Sequence, residues 1–155
     1  MDEQEQVLFS YWDTFESLIA SGSGPVQAVA PTKLTWVAHD VGFEGASLNV
    51  ALVPSRHEIR VELFMDGDHA HALFDRLHRQ RDEIETQIGS TLIWEQKVGV
   101  RRRKTYVKND GLDLNATSNW RNQHSWIADM LNRFHITFNP LLSRIDLTSL
   151  QKGDR

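Results

Sequence analysis

The spacing of hydrophobic residues along this chain changes from helical to alternating and back, and this change limits the folds that the chain can adopt. Between positions 7 and 19 the apolar side chains recur every three or four residues, which predicts an amphipathic helix that ends at the Gly/Ser/Pro segment 21–25. Between positions 34 and 65 they alternate in three short runs, which predicts three strands, the last two forming an antiparallel hairpin. Blocks of both periods in one chain are typical of an α+β domain.

The second half of the chain repeats the same change of period. Asp66-Gly67-Asp68 is expected to end the third strand and to cap a helical pattern over 70–88, which stops at Gly89. A second hairpin follows over 92–107, and then a long amphipathic helix from Trp120, in which Pro140 either causes a kink or starts a short last helix. We therefore predict a mostly antiparallel five-stranded sheet with three main helices, in the order α-β-β-β-α-β-β-α.

Composition narrows the class of protein. With 155 residues, 40% of them hydrophobic, we expect a single domain over 1–155, of which 151–155 form a loose tail. The absence of cysteine excludes disulfides, thiol nucleophiles and cysteine-ligated metals. No long apolar run and no basic leader are present, so we expect a cytoplasmic protein that does not contact a membrane.

Charge is distributed unevenly around a net value of −4. Segment 97–108 contains no acid and six cations, namely Lys97, Arg101, Arg102, Arg103, Lys104 and Lys108. Such a block attracts phosphate backbones, so we regard the last five of these residues as candidate contacts to DNA or RNA. The alternative is a solvated basic surface, or ion pairs with acids of the preceding helix (Asp82, Glu83 and Glu85) or of a partner chain.

Several segments in this order and spacing resemble a bacterial family of domains of unknown function that is often fused C-terminal to restriction-endonuclease-like domains. The likeness covers about residues 8 to 145. It is carried by Val61-Glu62-Leu63-Phe64, by Leu73-Phe74-Asp75 with Arg81-Asp82-Glu83-Ile84-Glu85, by Leu92-Ile93-Trp94-Glu95, and by Trp120, Gln123-His124 and Trp126. The resemblance implies an accessory or recognition module connected with DNA restriction or phage defence.

A metal-dependent nuclease is the alternative from the enzyme class, because the predicted order also matches the core of the restriction-endonuclease fold. That site needs converging carboxylates for Mg²⁺ and a lysine that stabilises the attacking hydroxide or the phosphate. Glu62 lies on the third strand without a following lysine, whereas Glu95 and Lys97 form an acid-x-Lys pattern on the fourth. A nuclease would therefore have to use Glu62, Glu95 and Lys97, and Mg²⁺ would be its cofactor.

One further constellation lies on the C-terminal helix, where Trp120, Gln123 and His124 share one side. They predict either polar groups in a cleft lined by tryptophan, or a tryptophan packed on the sheet beside a histidine that satisfies a buried carbonyl. The histidines offer no i,i+4 pair of the zinc-protease type, so no metal site is predicted.

The sequence favours a non-catalytic module that binds nucleic acid or a protein partner and needs no cofactor. The alternatives are the nuclease and a homo-oligomeric scaffold such as a homodimer. For the core, we expect seven residues to be largely buried: Trp12, Phe15, Leu63, Phe74, Leu77, Trp94 and Phe134.

Overall fold

A computed structural model describes residues 1–150 and confirms the α+β class with a five-stranded antiparallel sheet. The helices are α1 (Glu3–Ser21), α2 (Ala70–His78), α3 (Arg81–Ile88) and α4 (Trp120–Ser143). The strands are β1 (Trp36–Asp40), β2 (Ala46–Val53), β3 (Glu58–Met65), β4 (Ile93–Glu95) and β5 (Arg103–Asn109). Short 3-10 turns occupy Pro54–Arg56, Thr117–Asn119 and Leu147–Ser149. The predicted loose tail 151–155 lies outside the described residues.

The strands lie in the order β1-β2-β3-β5-β4, and each neighbouring pair is antiparallel. The predicted hairpin of β2 and β3 is confirmed, and its turn ends at His57, a non-glycine residue with φ of 51°. The predicted hairpin of β4 and β5 is also confirmed. Its second strand, β5, lies between β3 and β4, which brings the basic segment into the interior of the sheet.

All four helices contact the same face of the sheet. This face carries alternate apolar residues such as Leu48, Val61 and Leu63, all fully buried. The largest buried side chains of α1 and α4 complete the core: Tyr11, Trp12, Phe15, Phe134 and Phe138. The opposite face, which we call the uncovered face, has no helix against it within residues 1–150.

The structure corrects the number of helices, because the pattern over 70–88 forms two helices rather than one. The N–H of Gln80 donates to the carbonyl of Leu77, a tight turn that leaves Gln80 outside helical geometry. This break lets α2 bury Phe74 and Leu77 against the sheet while α3 packs on α4. Neither glycine nor proline marks the break, so the sequence contained no signal for it.

Three smaller expectations also need correction. His69, without a capping side-chain hydrogen bond, is the N-cap of α2, and the carboxylate of Asp66 accepts from the N–H of Gly67 instead. The helix α4 continues through Pro140 to Ser143, so this proline does not start a separate last helix, and the kink stays a prediction. Pro140 lies on the exposed side of α4, where the carbonyl that loses its N–H partner faces water. Six of the seven predicted core residues are buried, whereas Trp94 is half-buried at the short edge strand.

Candidate functional site

The uncovered face is a surface of charged and aromatic side chains that the strand register arranges in three rows. Because successive side chains of a strand point to opposite faces, each row takes one residue from every strand that extends that far. From β1 outwards, the rows are Trp36, Ala51, Arg60 and Lys108; then Ala38, Asn49, Glu62, Tyr106 and Ile93; then Asp40, Ser47, Phe64, Lys104 and Glu95. Val53 and Glu58 lie just beyond the first row, at the β2–β3 turn. The basic strand β5 therefore faces acids of β3 and β4.

At one end of this face, Glu58 is held between two cations. Its carboxylate accepts from Nε of Arg60 at 2.5 Å and lies 3.5 Å from Nζ of Lys108. The Arg60 guanidinium in turn lies 4.6 Å from the centre of the Tyr106 ring, a cation–π distance. Burial would raise the pKa of Glu58, but the hydrogen bond and charge of Arg60, with the charge of Lys108, hold this pKa below its usual value.

At the other end, a single lysine bridges two carboxylates. Nζ of Lys104 lies 3.4 Å from Oε2 of Glu62 and 3.4 Å from Oε2 of Glu95. Glu62 is only 4% exposed, and its Oε2 lacks a hydrogen bond of good geometry although Lys104 is within ion-pair distance. Burial raises the pKa of Glu62, an effect that the charge of Lys104 only partly offsets.

Of the trio considered for a nuclease, the structure brings Glu62 and Glu95 together and places Lys97 at the margin. Nζ of Lys97 reaches only 4.0 Å from Glu95 and is largely exposed. The ammonium between the two carboxylates belongs to Lys104, which the sequence pattern had assigned to nucleic-acid contact. Within residues 1–150, no group of three or more His, Asp or Glu side chains is arranged to hold a metal ion.

The remaining arginines of the basic block have separate environments. Arg101 donates to Asp66 at 3.1 Å across the exposed end of the hairpin. Arg103 is only 8% exposed, and its Nη1 donates to the carbonyls of Lys97, Val100 and Arg102, so it organises the turn before β5. Arg102 points to solvent.

The acids of α3 are not the partners of these cations. The alternative of ion pairs with Asp82, Glu83 and Glu85 is wrong, and Glu85 accepts instead from the N–H of Leu92 and from Nε1 of Trp94. The hairpin pairs with acids of its own sheet because β5 lies beside β3, an arrangement that local sequence does not reveal. Nucleic-acid contact by the basic block stays a prediction.

Trp120, Gln123 and His124 do come together, on the side where α4 packs against α1 and the 112–116 loop. The amide of Gln123 accepts from the hydroxyl of Tyr11 at 2.9 Å and donates to the carbonyl of Asp113 at 3.1 Å. The ring of His124 meets that of Tyr11 edge-on at 4.4 Å, and burial lowers the pKa of His124 to about 4. All three residues are buried, and a ligand cleft at this place stays a prediction.

Sequence reasoning missed a second buried polar pair on the helix side. Nε2 of His39, on β1, lies 2.8 Å from Oε2 of Glu16, and Oε1 of Glu16 accepts from the N–H of Val29. The signal was a glutamate within the apolar stripe of α1, beside Phe15 and Ile19. A charged residue at such a position requires a buried partner.

The geometry defines an α+β domain with helices on one sheet face and a network of ion pairs on the other. The chain belongs to the family described as "Domain of unknown function (DUF4268)", whose model matches residues 9–142. No curated protein matches the chain. Among solved structures, the ExsC–ExsE complex aligns with 86% of this chain and 96% of that chain, at 12% identity and a TM-score of 0.35. This similarity is too low to carry an argument.

No helix within residues 1–150 is both long enough and apolar enough to cross a membrane.

Proposed function

We propose that this domain is a non-catalytic recognition module that binds a protein partner on its uncovered sheet face. The observation that carries the proposal is an ion-pair network on a face that no helix within residues 1–150 covers. Its members are Glu58, Arg60, Glu62, Lys104 and Lys108. The restriction or phage-defence setting comes from the family resemblance and is part of the proposal.

The network favours a protein over a nucleic acid as the partner. A phosphate backbone binds to cations that can exchange their counterions for phosphates. Here Lys104 and Lys108 already face carboxylates, and Arg103 is buried among backbone carbonyls. DNA or RNA would have to compete with these internal acids, whereas a protein surface can match alternating charges residue by residue.

The same network favours recognition over phosphodiester cleavage. A catalytic divalent cation would have to take the place of the Lys104 ammonium between Glu62 and Glu95. Lys97, the lysine of the acid-x-Lys pattern, is 4.0 Å from Glu95 and directed towards solvent.

The arrangement of the face indicates the chemistry of the partner. The row from Asp40 to Glu95 has two acids and one base, while the row from Trp36 to Lys108 has two bases and an exposed indole. Trp36 is 47% exposed and Ile93 is 40% exposed at the two margins. A fitting partner therefore presents basic side chains above the first of these rows and apolar or acidic side chains above the second.

Site-specific photo-cross-linking tests the proposal. Benzoylphenylalanine replaces Ala51, which lies on the uncovered face, or Ala20, an exposed residue of α1 that serves as the control. In the cells that express the protein, we expect a discrete protein adduct from position 51 that position 20 does not give. Adducts with nucleic acid from position 51, or the same protein adducts from both positions, would contradict the proposal.

A further inference from the structure

The outer edge of β1 is an unpaired strand edge with its hydrogen-bonding groups directed outwards. Among residues 1–150, β1 pairs only with β2. The N–H of Leu52 donates to the carbonyl of Thr35 at 2.7 Å, so residues 35, 37 and 39 exchange hydrogen bonds with β2. The N–H and C=O groups of Trp36, Ala38 and Asp40 therefore point away from the sheet. Among residues 1–150, the capped part of this edge is its N-terminal end, where the Thr32 hydroxyl donates to the carbonyl of Trp36.

This edge has few of the features that usually prevent strands from pairing with other chains, since its one outward charge, Asp40, lies at the very end of the strand. Proteins protect edge strands with lysines, prolines or bulges, or by making the edge strand very short. The strand Trp36-Val37-Ala38-His39-Asp40 has no lysine and no proline, and Ala38 is exposed at its centre. The opposite edge, β4, is only three residues long and is protected by that length.

The charges beside β1 are complementary to those of a second copy in antiparallel orientation. Lys33, whose side chain is 57% exposed and whose Nζ lies 3.3 Å from Glu5, comes just before the strand, whereas Asp40 and Glu44 lie at its other end. Antiparallel pairing about Ala38 places Trp36 of one copy opposite Asp40 of the other and brings Lys33 towards Glu44. Parallel pairing would place like charges together, which is destabilising. His39 points inwards to Glu16 and takes no part.

We propose that two copies of this chain pair through their β1 edges, antiparallel and about a two-fold axis at Ala38. The N–H of each Ala38 donates to the carbonyl of the other, and the two sheets join into one with a continuous uncovered face. The five-residue edge makes a small interface, so the dimer forms and dissociates with concentration. This pairing does not depend on the proposed function, because a monomer can also bind a partner on its uncovered face.

Sedimentation equilibrium of the purified chain tests the dimer. Between about 10 μM and about 1 mM, a range suited to weak association, we expect the weight-average mass to rise from 17.8 kDa towards twice that value. Proline at an outward-facing N–H is tolerated on an edge strand. Ala38→Pro should therefore fold normally by circular dichroism yet associate at least about tenfold more weakly, since both central hydrogen bonds are lost.

Ala38→Val is the matched control, because it keeps the N–H and favours the strand, and it should associate within about twofold of the original chain. A constant mass of 17.8 kDa over the whole range would overturn the proposal. So would an Ala38→Pro variant that associates as strongly as Ala38→Val. If the chain stays monomeric and still gives the cross-link from position 51, the dimer proposal is wrong and the proposed function stands.

Discussion

The two faces of the sheet bury polar side chains in different ways. On the helix side, the carboxylate of Glu16 is hydrogen-bonded to the ring of His39 and to the backbone N–H of Val29, and the His39 ring packs edge-on against Phe15. On the uncovered face, Glu58 and Glu62 are equally buried but are surrounded by the flexible cations Arg60, Lys104 and Lys108. The comparison indicates that the first arrangement serves the fold, whereas the second can exchange its partners when another surface binds.

The largest expected effect comes from removing the carboxylate on the helix side. Glu16→Ala leaves the buried ring of His39 and the half-buried N–H of Val29 without their partner, and we expect the free energy of unfolding to fall by about 3 to 5 kcal/mol. Urea denaturation measures this change. Asp13→Ala, an exposed acid on the same helix, is the control and should change stability by less than about 0.5 kcal/mol. Equal losses of stability for the two variants would show that the buried carboxylate of Glu16 does not serve the fold.

The second effect is a pH dependence from the same side of the sheet. Burial lowers the pKa of His124 from 6.5 to about 4, so between these values the unfolded chain binds more protons than the folded one. Stability should therefore fall as pH falls from 6.5 to 4, and His124 should account for about 2 to 3 kcal/mol of this loss. The variant His124→Gln should lose less stability over that pH range, as measured by urea denaturation at each pH. Identical pH profiles for the two proteins would show that His124 is not buried as described.

The smallest effect is expected on the uncovered face. The raised pKa of Glu62 means that its charged form is disfavoured in the folded state, so its contribution to stability is lost as pH rises through the folded pKa. At neutral pH, Glu62→Gln should leave the free energy of unfolding unchanged or raise it by up to about 1 kcal/mol, because the penalty for burying the charge disappears. Thermal unfolding at pH 7 measures the change. A loss as large as that of Glu16→Ala would assign Glu62 to the fold rather than to recognition.

The contrast also explains what the sequence could predict. Alternation and helical spacing predict the strands, the two hairpins and most of the core, because these depend on neighbouring residues. The alternation also separates Thr105 and Val107 from Lys104 and Tyr106 on opposite faces of β5, and the structure places the first pair on the helix-covered face. The break at Gln80 escaped prediction because it depends on how α3 packs against α4.

The charges of the candidate site could not be interpreted from local sequence for a related reason. Taken alone, six cations in 97–108 indicate a basic surface. That interpretation changes once the acids that lie beside them in space are known. The insertion of β5 between β3 and β4 places Glu58, Glu62 and Glu95 beside them. Strand order is a long-range property, and sequence periodicity predicts which residues share a face without predicting which strands are adjacent.

Cations of the β4–β5 hairpin form ion pairs with acids of the same chain, which should make them unavailable to phosphates. A nucleic-acid titration tests this claim most directly. Fluorescence anisotropy at about 50 mM salt, where phosphate contacts are strong, would use labelled duplex DNA, single-stranded DNA and RNA. We predict no saturable binding below about 100 μM of protein, which is the weak end of typical non-specific DNA binding. Binding in the micromolar range that weakens steeply with salt, and that is lost in the double variant Lys97→Ala and Arg102→Ala, would contradict the account.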